Sequence, residues 1–516
     1  MSRRRLAAIA AFTLLPGTAL AGTAHADTSE ITVATCAPYT TVTLADADGC
    51  GGEALIGVFT GLTRFDPVTS RPAFAVAESI TTKDNRVFQV TLHKGWKFHD
   101  GTEVFARNFV EAWNRTAATK GANSFLFEDI QGYGARTMSG LKVTGPHTFT
   151  VTLKKPFGPF LKKLSHVAFS PLPDSILKSP ASFRKKPIGN GPYRVVTWSP
   201  GGTTVVERFD GYSGPVKPAA STIRYRAFRD ERANEAAVRA GEIDFSLVFS
   251  SKKLATYQAD QGGSVAKRPS RTLQVVAFPA GVAANADFRK AVSMAIDREA
   301  ITKKVFDGAR IPAQSFVSPL AEGSRRNPCG EVCAYDPAKA RKYLAKALAS
   351  GFRPPAVLPL YYNADGNHLE WIKPLVSDLN KVFKGKVTFV AKSKATFEQF
   401  DRATRSGKLN GMYRGGWQLD FPHIQNALSP MYASDGVYNG GLYRNAAFDA
   451  LLHAADRERS SAKAIALYQR AEARLVKDLP AIPLWFYGDL AWRSDHIASV
   501  ALTPSGTIDP LTLKLA

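Results

Sequence analysis

Hydrophobic and polar residues alternate along residues 87–92, with Phe88, Val90 and Leu92 on one face and Gln89 and Thr91 on the other. A period of two is that of a half-buried strand. Similar strand patterns run over 31–35, 147–153, 193–198, 203–209, 223–228 and 271–278. In 287–306 the apolar residues Phe288, Val292, Ala295, Ile296, Ile301 and Val305 recur mostly at steps of three and four. That spacing predicts one long amphipathic helix. A second helix is expected over 106–116, with Phe109, Val110 and Trp113 on one face, and a third over 231–240, closed by Gly241. Asp336 followed by Pro337 is an N-cap and N1 pair that starts a helix to 349. Strands over 356–362 and 386–391 flank a helix around 372–383, a βαβ-like run. Helices over 448–455 and 462–478 precede an apolar, aromatic strand over 481–487. The Gly-rich segment 49–61 leads into a short helix.

This mixture of strands and helices is an α/β pattern, and residues 62–169 read as a small α+β unit of their own. The chain has 516 residues, enough for two to four domains, and 45% of them are hydrophobic. There is no internal repeat and no low-complexity linker.

Residues 1–26 stand apart. Arg3, Arg4 and Arg5 precede an apolar run over 6–15 that is too short to span a bilayer, and Ala24-His25-Ala26 precedes Asp27. This is the layout of a secretory signal peptide. No cysteine stands at the cleavage site, so no lipid anchor is expected, and no later segment is apolar for 18 residues. A secreted, extracytoplasmic protein without membrane insertion follows. Four cysteines, Cys36, Cys50, Cys329 and Cys333, suit an oxidising compartment. Pairing Cys36 with Cys50 and Cys329 with Cys333 closes the shortest loops. A metal site is the rival reading, but no His lies near either pair, and zinc wants four ligands. The formal charge is +23. Its basic residues are scattered in runs no longer than three, without a basic arm or an aromatic RNA-binding motif, so nucleic acid is not the expected partner.

The most suggestive chemistry lies in Tyr413-Arg414-Gly415-Gly416-Trp417-Gln418-Leu419-Asp420. A guanidinium, an indole and a carboxylate sit within seven residues. Two glycines between Arg414 and Trp417 let the backbone approach another molecule closely. If extended, Arg414 to Trp417 spans about 10 Å. The spacing suits a small zwitterion and equally a strand end with a surface ion pair and a core Trp.

Five stretches, in order, resemble the extracytoplasmic peptide-binding proteins of ABC importers, the solute-binding proteins of family 5. They are 92–101 (ending His99-Asp100-Gly101), 187–193 (Pro-Ile-Gly-Asn-Gly-Pro-Tyr), 240–244 (Ala-Gly-Glu-Ile-Asp), 288–298 (ending Ile296-Asp297-Arg298) and 479–484 (Leu-Pro-Ala-Ile-Pro-Leu). The resemblance covers nearly all of the mature chain. It implies a two-lobed periplasmic-binding-protein-like fold of type II, with a hinge and an extra inserted α+β domain. The implied layout is 27–61, 170–272 and 485–516 in lobe 1, 62–169 as the insertion, and 273–484 as lobe 2. Hinge strands are expected near 269–273 and 482–487.

The family pattern also reaches the opening stretch. By that match Asp420 takes a peptide ammonium, Trp417 is the pocket aromatic and Arg414 takes the ligand carboxylate. Gln418, Phe397, Trp485 and Tyr487 complete the candidate set. The second acid usual after Asp420 is absent, since the chain continues Phe421-Pro422-His423, and Phe105 stands where a capping Thr is usual. The resemblance implies a monomer that hands a peptide or amino-acid-like ligand to an ABC permease, with no cofactor. Other ligand classes for this fold are oligosaccharides, opines and metal chelates. A hydrolase reusing the fold is the other class. The chain carries no Gly-x-Ser-x-Gly, no His-Glu-x-x-His and no P-loop.

Overall fold

The computed structural model describes residues 29–37, 42–47, 52–66, 71–119, 121–248, 250–278, 284–436, 438–440 and 443–516. The leader 1–26 and Cys50 lie outside the described residues. The expected strands form, and ten strands join edge to edge in one sheet. Its order is Thr388–Lys394, Val357–Asn363, Met412–Gln418, Ser264–Ala277, Ala481–Arg493, Phe245–Val248, Glu30–Cys36, Thr222–Phe228, Thr203–Arg208 and Tyr193–Thr197. A two-residue strand, Ile311–Pro312, adds to Ala481–Arg493. Pairing is parallel among the first three strands and among Phe245–Val248, Glu30–Cys36 and Thr222–Phe228. The central strands Ser264–Ala277 and Ala481–Arg493 run antiparallel to each other.

These two central strands carry the sheet from one lobe to the other. Both are longer than their apolar pattern suggests. Residues 264–269 lack a continuous apolar pattern, yet they pair with 488–493. The register slips between Pro269 and Leu273, where the hinge was expected. Proline there has no N–H for the ladder, so an irregularity at this point loses little.

Two large hydrophobic clusters lie on either side. One gathers residues between Leu273 and Phe486. The other runs from Ile31 to Phe245 and takes in Ala491, Ile497 and Leu513 from the end of the chain. A separate four-stranded antiparallel sheet, Ala77–Thr82, Val87–Leu92, Thr148–Thr152 and Leu141–Gly145, covers the expected insertion. It is a sheet of its own but not a core of its own. Phe88, Phe149, Phe109 and Trp113 belong to the same cluster as Ile31 and Tyr225.

The long helix expected over 287–306 is two helices, Ala286–Met294 and Arg298–Phe306. Asp297 caps the second, accepting from the Ala300 N–H at 2.9 Å. Arg298 is buried and donates to the carbonyls of Pro483 (2.8 Å) and Ser293 (3.0 Å).

Phe105, which stands where a capping Thr is usual in the family pattern, provides no side-chain cap, as expected. Asn108 compensates in part: its Oδ1 accepts from the Phe105 backbone N–H at 2.9 Å. Cys329 and Cys333 form a disulfide. Cys36 is also disulfide-bonded, and the expected partner Cys50 lies outside the described residues.

Candidate functional site

The 413–420 stretch is the edge-on neighbour of the hinge. Tyr413 to Gln418 pair with Ala277 to Thr272 of the Ser264–Ala277 strand. The glycines serve that pairing: a Cβ on Gly416 would stand 2.7 Å from the Leu273 carbonyl oxygen. So the close approach that Gly416 permits is to the next strand.

Trp417, Gln418 and Asp420 face the cleft between the lobes. Two cavities meet there, about 490 Å³ and 200 Å³ in volume. Gln418, Asp420, Arg271 and His166 line both. The larger is closed on the far side by Phe59, Arg64 and Asp509 of lobe 1, and the smaller by Asn123 and Tyr438. Trp417 lines the smaller one and packs on Tyr438 with ring centroids 4.7 Å apart.

Asn426, buried in the helix Ile424–Tyr432, organises this wall. Its Oδ1 accepts from the Asp420 backbone N–H (2.8 Å) and from the Trp417 indole (3.2 Å). Its Nδ2 donates to Asp420 Oδ2 at 2.9 Å. Phe421, the next residue, is buried and inserts into the hydrophobic cluster of lobe 1. The lobes also meet where Lys162 pairs with Glu322, and where the Gly158 N–H donates to the Asp456 carbonyl at 2.9 Å.

Arg414 points elsewhere and lines neither cavity. Its Nε donates to Asn363 Oδ1 at 2.7 Å, and its guanidinium lies 5.4 Å from the Phe397 ring centroid and 4.9 Å from that of Phe400. Tyr487 belongs to the same neighbourhood. Its hydroxyl donates to Gln274 Oε1 at 3.2 Å, and Arg310 sits 3.9 Å from its ring centroid. Burial lowers the pKa of both guanidiniums. Burial first, then the charges of Arg414 and Arg310, pushes His368 down to about 4. Phe397 is half exposed, while Trp485 has no exposed surface and packs between Phe306 and Trp371 in the core.

The seven candidates therefore fall into three places. Trp417, Gln418 and Asp420 line the cleft cavities. Phe397 lies against Arg414, Tyr487 lies against Arg310, and Trp485 lies in the core. Asn426 and Arg271 were not singled out by sequence reasoning. Neither stands in a motif; only tertiary contact brings them to Asp420. Among the described residues no cluster of His, Cys, Asp and Glu is suited to a metal ion.

The profile of bacterial extracellular solute-binding proteins, family 5 (middle), matches residues 71–439. The chain belongs to this family. A glutathione-binding protein, GsiB, of Escherichia coli O1:K1 is 27% identical over 484 residues, covering 90% of this chain and 91% of that one. The periplasmic oligopeptide-binding protein OppA of Salmonella typhimurium is 27% identical over 466 residues, covering 83% and 82%. The unliganded open form of MppA, a periplasmic murein tripeptide-binding protein, superposes with a TM-score of 0.83 at 23% identity, over 95% of this chain and 98% of that one. The fold is thus the two-lobed binding-protein fold, and the family consists of solute-binding proteins. Among the described residues no helix is long and apolar enough to cross a membrane.

The five motifs that carry the resemblance work mainly inside the fold. His99 Nδ1 accepts from the Gly189 N–H at 3.2 Å, and its Nε2 bonds the Gly191 carbonyl at 3.1 Å, joining two motifs. Burial holds His99 at about 4. Arg298 joins two others through Pro483. Asp244 accepts from the Thr32 N–H at 2.8 Å and from Ser494 Oγ at 2.9 Å.

Proposed function

We propose that this protein captures a peptide, or a small amino-acid-like compound, between its lobes and delivers it to an ABC permease. The observation that carries the reading is the placement of Asp420 on the wall of the cleft cavities, held by Asn426 beside Trp417. At the cavity wall the Asp420 carboxylate can give a ligand ammonium a short, charge-assisted bond. Trp417 and Gln418 form the adjoining wall. A volume near 490 Å³ is in the range of small-molecule sites. The names of the relatives, which are peptide- and glutathione-binding proteins, agree with this class.

In this reading the protein acts as an exported monomer without a lipid anchor. Its lobes are bounded at 27–61, 170–272 and 485–516 for lobe 1 and 273–484 for lobe 2, and they close about the central strands. Arg414, Phe397 and Tyr487 keep a place in it as the outer surroundings of the ligand, and Trp485 as core packing beneath them. An oligosaccharide site is disfavoured by the committed anion at Asp420. Native mass spectrometry of the purified protein tests the class. A copurifying peptide or amino-acid-like mass supports it, and a sugar or metal chelate contradicts it.

A further inference from the structure

The turn that joins Ala77–Thr82 to Val87–Leu92 carries Asn85, whose φ of 56° lies in the left-handed region. Asn is one of the few residues enriched there. Connecting turns ordinarily face water, yet Asn85 is only 7% exposed. Its side chain reaches lobe 2, where Nδ2 donates to the Glu458 carbonyl at 3.0 Å. The Asn85 carbonyl accepts from the Phe157 N–H at 2.8 Å, and the next N–H, that of Gly158, donates to the Asp456 carbonyl at 2.9 Å. A Cβ on Gly158 would stand 3.0 Å from Asn85 Nδ2, so the two donors lie side by side. Asp456 and Glu458 stand at the C-terminal end of the helix Ala446–Arg457. Carbonyls there lack partners within the helix and carry the negative end of its dipole. The small unit of 62–169 therefore caps a helix of lobe 2. Four residues beyond Gly158, Lys162 pairs with Glu322, both side chains mostly buried. Lys155 approaches Asp435 at 3.8 Å. In these four contacts the donor or cation always comes from 62–169 and the acceptor or anion from lobe 2.

Glu322 ties this contact to the cleft. Its N–H donates to the Pro422 carbonyl and its carbonyl accepts from the Ile424 N–H, both at 2.9 Å, just beyond Asp420. The smaller cavity lies at the same junction, lined by Asn123, Phe125 and Leu126 of the small unit and by Trp417 and Tyr438 of lobe 2. We propose that Asn85, Gly158 and Lys162 form a latch that holds the 62–169 unit against lobe 2, so that access to the cleft is governed by bonds that never touch the ligand. None of the three lines either cavity. When the surfaces part, each bond is exchanged for one to water, so the net hold is modest and the latch can release. Its one-sided charge pattern makes it sensitive to salt.

Small-angle scattering of the full mature protein without ligand tests the latch. Asn85→Gly keeps the left-handed turn without steric cost and removes only the side-chain bond. Asn85→Asp also tolerates the turn but sets a carboxylate against the Glu458 carbonyl. Lys162→Gln removes the cation that Glu322 holds. Asn85→Asp and Lys162→Gln are expected to shift the radius of gyration upward, and Asn85→Gly to shift it less. The wild type is expected to expand in about 1 M salt, where the Debye length is about 3 Å. An expansion in the folded variants supports the latch whatever the salt series shows. Radii equal to that of the wild type overturn it, and so does a variant that lowers the urea midpoint without expanding. If no variant folds, the wild-type salt series decides, and an unchanged radius overturns the proposal. No ligand enters these measurements, so their failure leaves the peptide reading untouched.

Discussion

Asn426 grips Asp420 at two points, donating to its carboxylate at 2.9 Å and accepting its backbone N–H at 2.8 Å. The same Oδ1 also holds the Trp417 indole. One buried amide therefore sets both the aromatic wall and the anion of the cleft. Asn426→Leu has nearly the same volume but neither bond. It leaves the indole and the Asp420 N–H without their acceptor. Each unsatisfied buried group costs about 1–3 kcal/mol. The variant is expected to lose stability in urea melts and to bind ligand more weakly. Unchanged affinity in a folded Asn426→Leu protein would show that the grip does not matter to binding.

Asp420→Asn isolates the ammonium anchor. Losing one partner of a desolvated charge pair costs about 2–5 kcal/mol. That is about 30-fold to several thousand-fold in affinity. The fold should survive, because the amide can keep a hydrogen bond to Asn426. Calorimetry on wild type and variant, each against a peptide with a free or an acetylated N-terminus, measures the coupling. If the mutation and the acetylation simply add, Asp420 does not meet the ammonium.

Tyr468 lies between two buried titrating groups with opposite behaviour. Its hydroxyl donates to Asp456 at 2.5 Å, and His423 packs against its ring edge-on at 5.5 Å. Burial raises Asp456 from 3.8 to about 7, with the Tyr468 hydrogen bond and Lys155 opposing and Asp129 and Asp435 adding to the shift. Burial lowers His423 from 6.5 to about 3, with Glu322 opposing and Lys162 adding. A raised acid binds its proton more tightly in the fold. Its contribution is full below about pH 4 and is lost as pH rises through 7. A depressed base contributes above about pH 6.5 and loses that contribution as pH falls toward 3. The two slopes oppose each other between pH 4 and 6.5. Relative to wild type, Asp456→Asn should make stability climb more steeply with pH, and His423→Gln should make it fall. Urea midpoints at pH 4, 5.5 and 7 check this, and parallel pH profiles for all three proteins would refute it.

The Cys329–Cys333 disulfide closes a loop of only a few residues. Loop-closure entropy for such a span gives about 2 kcal/mol. Cys329→Ser with Cys333→Ser should therefore lower the melting temperature modestly and leave ligand affinity intact. Peptide mapping without reductant should find no free thiol in the wild type. A free Cys329 would contradict the pairing.

The strands and most helices were legible in the sequence because their apolar residues recur at two or at three and four, a periodicity set by backbone geometry. The five motifs identified the family for a related reason. Residues such as His99, Asp244 and Arg298 are fixed by bonds to particular backbone groups, so short strings record them. The same strings say little about the ligand, since these side chains are spent on the fold. Periodicity could not divide 287–306 into two helices, because Arg298 turns toward Pro483, 185 residues away in sequence. Nor could it extend the hinge strands through residues that lack a continuous apolar pattern and whose pairing partners are distant.

The cleft shows the same division. Trp417 and Asp420 were visible together because one strand end carries both. Arg414 stood equally close in the sequence, but its bond to Asn363 and its packing on Phe400 hold it with another group of residues. Arg271 lies 149 positions before Asp420 and Asn426 only six after it, and no spacing rule connects the three. A sequence fixes which charges are available and which lie on one element. Only tertiary packing, by pairing 264–277 with 412–418 and seating the helix 424–432 behind them, decided which of those charges share a cavity.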